Sequence, residues 1–298
     1  MRSSNPVFSR RGFSRDNGYA GFNTAPQAGY AQGNPYAQGN PYAQGGDPYA
    51  QNPYATNPYA QQDTQYGAPQ APAGTGRMTM DDVVVRSATT LGVVVLGAVL
   101  AWAVLPVSSG SYGLAIGAAL VAFVLAMVQS FKRTPSPALI LGYAAFEGIF
   151  LGVISKMYNA AWSGAPFQAV LGTMAVSAAT LIVYKAGWIR VTARYARVGM
   201  AIALAFVLVM AVNMLLVVFG VAEDGGLRSF GPLGAVVGII AILIGAFFLT
   251  LDFKQIEDGI AYGAPRNEAW LAAFGLTMTL VWIYLEMLRL VAIFSSND

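Results

Sequence analysis

The chain has 298 residues, 56% of them hydrophobic and only 10% charged, with a net charge of +3. An ordinary soluble domain carries about 25% charged residues, so this composition points to a polytopic membrane protein. Cysteine and histidine are both absent. Their absence excludes disulfides, thiolate catalysis, thiolate and imidazole metal sites, and the one side chain that naturally titrates near neutral pH.

Residues 1–80 are low in complexity. From Gly29 to Gln62 a short unit repeats as GYAQGN, PYAQGN, PYAQGGD, PYAQN, PYATN and PYAQQ. Proline removes backbone donors, glycine raises the entropy cost of ordering, and the unit is too polar to bury a core. A disordered tail is expected, acting as a passive tether or as a tyrosine-spaced array for self-association or a protein partner. Arg2, Arg10, Arg11 and Arg15 are placed to touch anionic lipid headgroups. No apolar core follows them, so no signal peptide is expected.

The rest, residues 81–298, is expected to form the transmembrane domain. Seven apolar runs follow Arg86: Ser87–Val107, Tyr112–Phe131, Ala138–Ser155, Phe167–Tyr184, Val198–Val221, Pro232–Leu251 and Trp270–Phe294. Each is long enough to cross ~30 Å of hydrocarbon as a helix. A membrane barrel would alternate polar and apolar residues, and these runs are apolar on all sides. The predicted fold is therefore all-α, a seven-transmembrane-helix bundle with a disordered N-terminal tail. Beyond Leu251 an amphipathic continuation predicts that the sixth helix runs on to the break at Gly263-Ala264-Pro265.

Basic residues mark alternate loops: Arg77 and Arg86, Lys132 and Arg133, Lys185 to Arg197, then Lys254 and Arg266. The other loops hold Lys156 and Arg228 with the acids Glu223 and Asp224. The positive-inside rule then puts the N-terminus in the cytoplasm and the short C-terminus outside. The connector Ala186–Arg197 is expected at the cytoplasmic interface.

Three acids fall within the apolar runs or at their edge: Glu147 in the third, Asp252 closing the sixth, and Glu286 inside the seventh. A charge in hydrocarbon costs roughly 2.5–3.5 kcal/mol on insertion scales, so such residues must face protein or water. Arg289 stands one turn beyond Glu286 and is its expected charge partner, or else snorkels. Asn213, Ser177 and Thr180 are expected to form interhelical hydrogen bonds. Trp282 and Tyr284 read as packing or interface residues, and Glu257, Asp258 and Glu268 as a solvated cytoplasmic face. No nucleophile elbow, zinc-protease or phosphate-loop motif is present, so no enzyme, energised pump or resident cofactor is expected. Nothing points to nucleic acid.

Leu251-Asp252-Phe253, Ile283-Tyr284-Leu285-Glu286 and Leu288-Arg289-Leu290, with the Gly-rich Glu147-Gly148-Ile149-Phe150-Leu151-Gly152, resemble the Bax inhibitor family, which includes bacterial members. The resemblance covers roughly residues 85–294. It implies a bundle around a central last helix, in a bacterial plasma membrane, with Ca²⁺ leaking down its gradient. In bacterial relatives facing aspartates on the sixth and seventh helices share a proton as a pH-sensitive latch. By motif match the latch would be Asp252 and Glu286, whose oxygens would also suit Ca²⁺. Two close carboxylates cannot both ionise cheaply in a low dielectric, which makes such a latch physically reasonable. If the two do not meet, Glu286, Glu147 and Asp252 would form a descending row of acids along a cation path. The runner-up function is a non-conducting interaction protein that regulates stress responses or a membrane protease.

Overall fold

The computed structural model describes residues 76–222 and 225–296. The expected disordered tail lies outside the described residues, except for residues 76–80. The described chain is helical with no strand. Seven helices are long and apolar enough to cross a membrane: α1 (Met80–Val104), α2 (Ser109–Phe131), α3 (Pro137–Ala161), α4 (Ala165–Lys185), α5 (Ala193–Val218), α6 (Pro232–Ala261) and α7 (Glu268–Ser295).

Local chemistry sets the ends. α1 begins earlier than its apolar run because Thr79 and Asp82 form a reciprocal capping box, which satisfies donors left open in the first turn. At its far end the Lys156 ammonium donates to the carbonyls of Trp102 and Leu105 at 2.7 and 2.6 Å, which closes the carbonyl end of α1. α6 does run past Leu251, and Gly263 then turns the chain with φ +69°, a conformation only glycine adopts at no cost.

The last helix is the centre of the bundle. α7 packs against α1, α3, α4 and α6. α2 lies outside and packs mainly on α3, through Ala115, Ala118, Ala122 and Ala126. α5 is more peripheral still. Its backbone approaches only α6 and the short turn Gly226–Arg228, Phe206 reaches the Trp282 ring of α7 edge-on, and it buries only Ala203 and Asn213. Large apolar side chains such as Val84, Leu100, Leu204 and Met214 point outward, as a lipid-facing surface requires. Before α1, Met78 N–H donates to the Ala264 carbonyl at 2.7 Å and Arg266 N–H to Gly76 at 2.8 Å. Residues 76–78 thus strap the turn between α6 and α7, so the expected boundary at residue 80 falls within ordered chain.

The Gly-rich motif of α3 has a packing role. A Cβ on Gly148 would collide with the Val94 carbonyl oxygen, and one on Gly152 with that of Ala98. Small residues one turn apart let α1 and α3 approach backbone to backbone. Neither carbonyl can move aside as a side-chain tip would. Gly152→Val is therefore expected to destabilise the fold by about 3 kcal/mol, the upper range for overpacking. Gly117→Ala, where nothing lies within 4 Å, is the control and should unfold with the parent in a detergent melt. Equal melting of both variants would refute this account.

Candidate functional site

Asp252 and Glu286 do not meet. Across from Asp252 stands Thr279 of α7, whose hydroxyl donates to the carboxylate at 2.7 Å. The same hydroxyl also reaches the Gly275 carbonyl at 3.1 Å. Gly275 faces Asp252 directly, since a Cβ there would sit 3.3 Å from Asp252 Oδ1. That oxygen has no hydrogen bond among the described residues. Helix geometry explains the register. Asp252 lies about 14 Å in from the end of α6, and Thr279 about 17 Å in from the start of α7. Glu286 is about 10 Å farther along, near the opposite end of the bundle. A latch of two facing carboxylates, and a Ca²⁺ site shared by Asp252 and Glu286, are thereby both corrected.

Asp252 borders a cavity of about 200 Å³ at the basic end of the bundle. Gln255, Ser130, Gly275 and Phe274 also line it. On the far side of Phe274 its ring meets Tyr143 edge-on, with centroids 5.2 Å apart. Glu147 follows one turn later on α3. It is half-buried, and among the described residues no hydrogen bond or ion pair reaches its carboxylate. Its depth, about 15 Å from the start of α3, matches that of Asp252. α3 and α6 do not touch, and α7 stands between them. Two acids therefore flank the central helix at one level, and the third lies well above. This replaces the expected descending row.

Glu286 sits in a cation cluster. Arg228, from the short turn before α6, donates to Glu286 Oε1 at 2.8 Å. Arg289 lies 3.6 Å from Oε2 and donates to the Gly234 carbonyl at 3.3 Å. The Arg289 and Glu286 side chains are only 8% and 7% exposed, so Arg289 pairs rather than snorkels. Neither Arg289 Nη1 nor Glu286 Oε2 makes a hydrogen bond, so their attraction is Coulombic only. Phe230 stacks on Trp162 at 5.3 Å, and pins the turn that carries Arg228. One carboxylate thus holds two guanidinium groups across the end of the bundle. Sequence reading missed Arg228, because a loop arginine signals topology before it signals a partner.

Other expectations fare differently. Ser177 and Thr180 bond carbonyls of their own helix, at Thr173 and Val176. Asn213 fastens the turn after α5, through Gly225 and Leu227. None of the three is an interhelical hydrogen bond. Tyr284 does pack between helices, sharing a 2.6 Å hydrogen bond with Ser155 of α3. Trp282 does so too, donating to the Ala241 carbonyl of α6 at 3.1 Å. Of the expected solvated acidic face, Glu268 is buried and needs correction, whereas Glu257 and Asp258 are accessible and pair with Lys185 and Lys254 at 2.6 Å each. Among the described residues no three acidic side chains gather into a metal-binding group.

A family model described as Bax inhibitor 1 like matches residues 5–296. The match is longer than the resemblance read from motifs and takes in most of the low-complexity tail. No curated protein matches the chain.

Proposed function

We propose, from the premise that the chain belongs to the Bax inhibitor 1 like family, that this integral membrane protein is a pH-sensitive leak for Ca²⁺ and similar cations. The observation that carries the reading is the setting of Asp252. It is one half-buried carboxylate, held by a single hydroxyl, with its second oxygen open at the edge of a cavity. Carboxylate oxygens suit a hard cation, and an intramembrane acid is by default a functional residue. In this reading Asp252 receives the ion at the basic, cytoplasmic end. Glu147 offers a second carboxylate at the same depth across α7. The Arg228–Glu286–Arg289 cluster closes the outer end, since two cations against one anion repel an incoming cation.

The pH response follows from one proton. With Asp252 protonated the cavity lacks its anion and holds no Ca²⁺. As pH rises the carboxylate ionises and conduction increases. The test is Ca²⁺ flux into liposomes holding the purified protein, from pH ~5.5 to ~8, a range that brackets a buried carboxylate. Flux should rise with pH in the parent and be low and pH-flat in Asp252→Asn. No flux above empty liposomes from folded protein would sink the leak and favour a non-conducting interaction protein.

A further inference from the structure

We infer that the pocket between the starts of α1 and α7 binds the phosphate of an anionic phospholipid headgroup. The pocket measures about 670 Å³ and is separate from the Asp252 cavity. Arg77, Arg86, Arg266 and Trp270 line it, with Asp81 and Asp82. Three arginines against two aspartates leave a formal charge of +1.

The distribution of hydrogen bonds matters more than that sum. Asp82 is already saturated. Its Oδ2 accepts from Thr79 N–H and hydroxyl at 3.3 and 2.9 Å. Its Oδ1 takes Arg266 Nε at 2.7 Å and Arg86 Nη1 at 3.1 Å. Arg266 thereby spends only Nε, and both of its terminal nitrogens remain available. Arg77 is exposed, and no hydrogen bond or ion pair reaches its guanidinium among the described residues. Backbone pairing fixes the two side by side: Arg77 bridges Pro265, and Arg266 N–H donates to the Gly76 carbonyl at 2.8 Å. Two arginines with unspent, forked donors on paired backbone segments form a preorganised phosphate receptor.

The apolar wall selects a lipid over a soluble phosphate. Val85, one turn into α1, is 64% exposed and lines the same pocket. Val84 beside it is 58% exposed. Trp270 closes the other side at the level where indoles mark the membrane interface, with Arg86 stacked over its ring at 5.7 Å. A ligand with an anionic head and a hydrocarbon tail fits this polar-to-apolar gradient. The location, at the basic end of the bundle, is where anionic leaflets concentrate such ligands.

The test uses the full chain in a neutral detergent, titrated with phosphatidylglycerol, phosphatidylcholine or inorganic phosphate. Bound lipid is read by native mass spectrometry, and melting temperature alongside. The parent is expected to hold phosphatidylglycerol about tenfold more tightly than phosphatidylcholine, and Arg77→Ala should erase most of that preference, as loss of one charge-assisted contact predicts. Arg266→Gln should act in the same direction. Arg133→Ala, in a different basic loop, should keep the preference. Because Arg77 is exposed and has no ion pair among the described residues, its replacement leaves the fold intact, which the melt verifies. Equal retention of both lipids by the parent, or an unchanged preference in Arg77→Ala, overturns the site. So does inorganic phosphate that stabilises the parent through Arg77 while phosphatidylglycerol does not.

Discussion

Replacing Glu286 with Gln is expected to cost about 3–5 kcal/mol of stability, the usual penalty for removing one partner of a buried ion pair. The variant leaves Arg289 buried and Arg228 beside it with no anion between them. Arg289 is the dominant liability, being 8% exposed, whereas the Arg228 side chain is 36% exposed and can turn toward water. Arg228→Ala should therefore cost only about 1 kcal/mol, because its attraction is partly screened. Adding Arg289→Met to Glu286→Gln should restore most of the loss, since the uncompensated charge leaves with it. Chemical unfolding in mixed micelles measures all three. A Glu286→Gln protein within 1 kcal/mol of the parent would mean that water reaches the cluster and neutralises it.

The second large effect concerns Thr279. Thr279→Asp places a carboxylate directly opposite Asp252, where the parent has a 2.7 Å hydroxyl contact. Two carboxylates at that distance in a poor dielectric share one proton and cannot both ionise cheaply. At low pH the shared proton ties α6 to α7 by a short hydrogen bond. Its loss at high pH sets two anions against each other, and the helices loosen. Thr279→Asp should thus be more stable at pH 6 than at pH 8, by about tenfold in the folding equilibrium, or roughly 1.4 kcal/mol. Thr279→Val, which removes the hydroxyl but adds no charge, should lack that slope. Parallel melts of the two variants across this range would show that Asp252 and residue 279 do not face each other.

The spans were legible because their length and apolarity are set by the bilayer and not by one another. The central place of α7 came only with the family resemblance. What faces Asp252 was harder. It depends on where the hairpin of α6 and α7 turns, and not on which residues are acidic. The break at Gly263-Ala264-Pro265 was visible in the sequence, and an antiparallel hairpin reflects positions about its turn. Reflecting Asp252 about Pro265 and Arg266 lands on Thr279, 27 residues on. Matching acid to acid led instead to Glu286, which is about two helical turns too far. Its true partner, Arg228, lies 58 residues away on a different segment. Hydropathy periods do not report such a pairing. Gly148 and Gly152 were noticed as a motif, but their role needed the opposing carbonyls of α1 to be seen.

Three cations near the end of the bundle opposite the Asp252 cavity make their contacts inside the molecule. Lys156 spends its protons on the carbonyls of Trp102 and Leu105, and Arg228 and Arg289 converge on Glu286. Lys132, Arg133, Arg190, Arg194 and Arg197, at the other end, are all exposed. Both poles stay cationic, but the one that carries these five exposed side chains is the more densely charged. Such a body carries a permanent electrical direction, and a transmembrane voltage would draw the more cationic pole toward the negative side and hold it there.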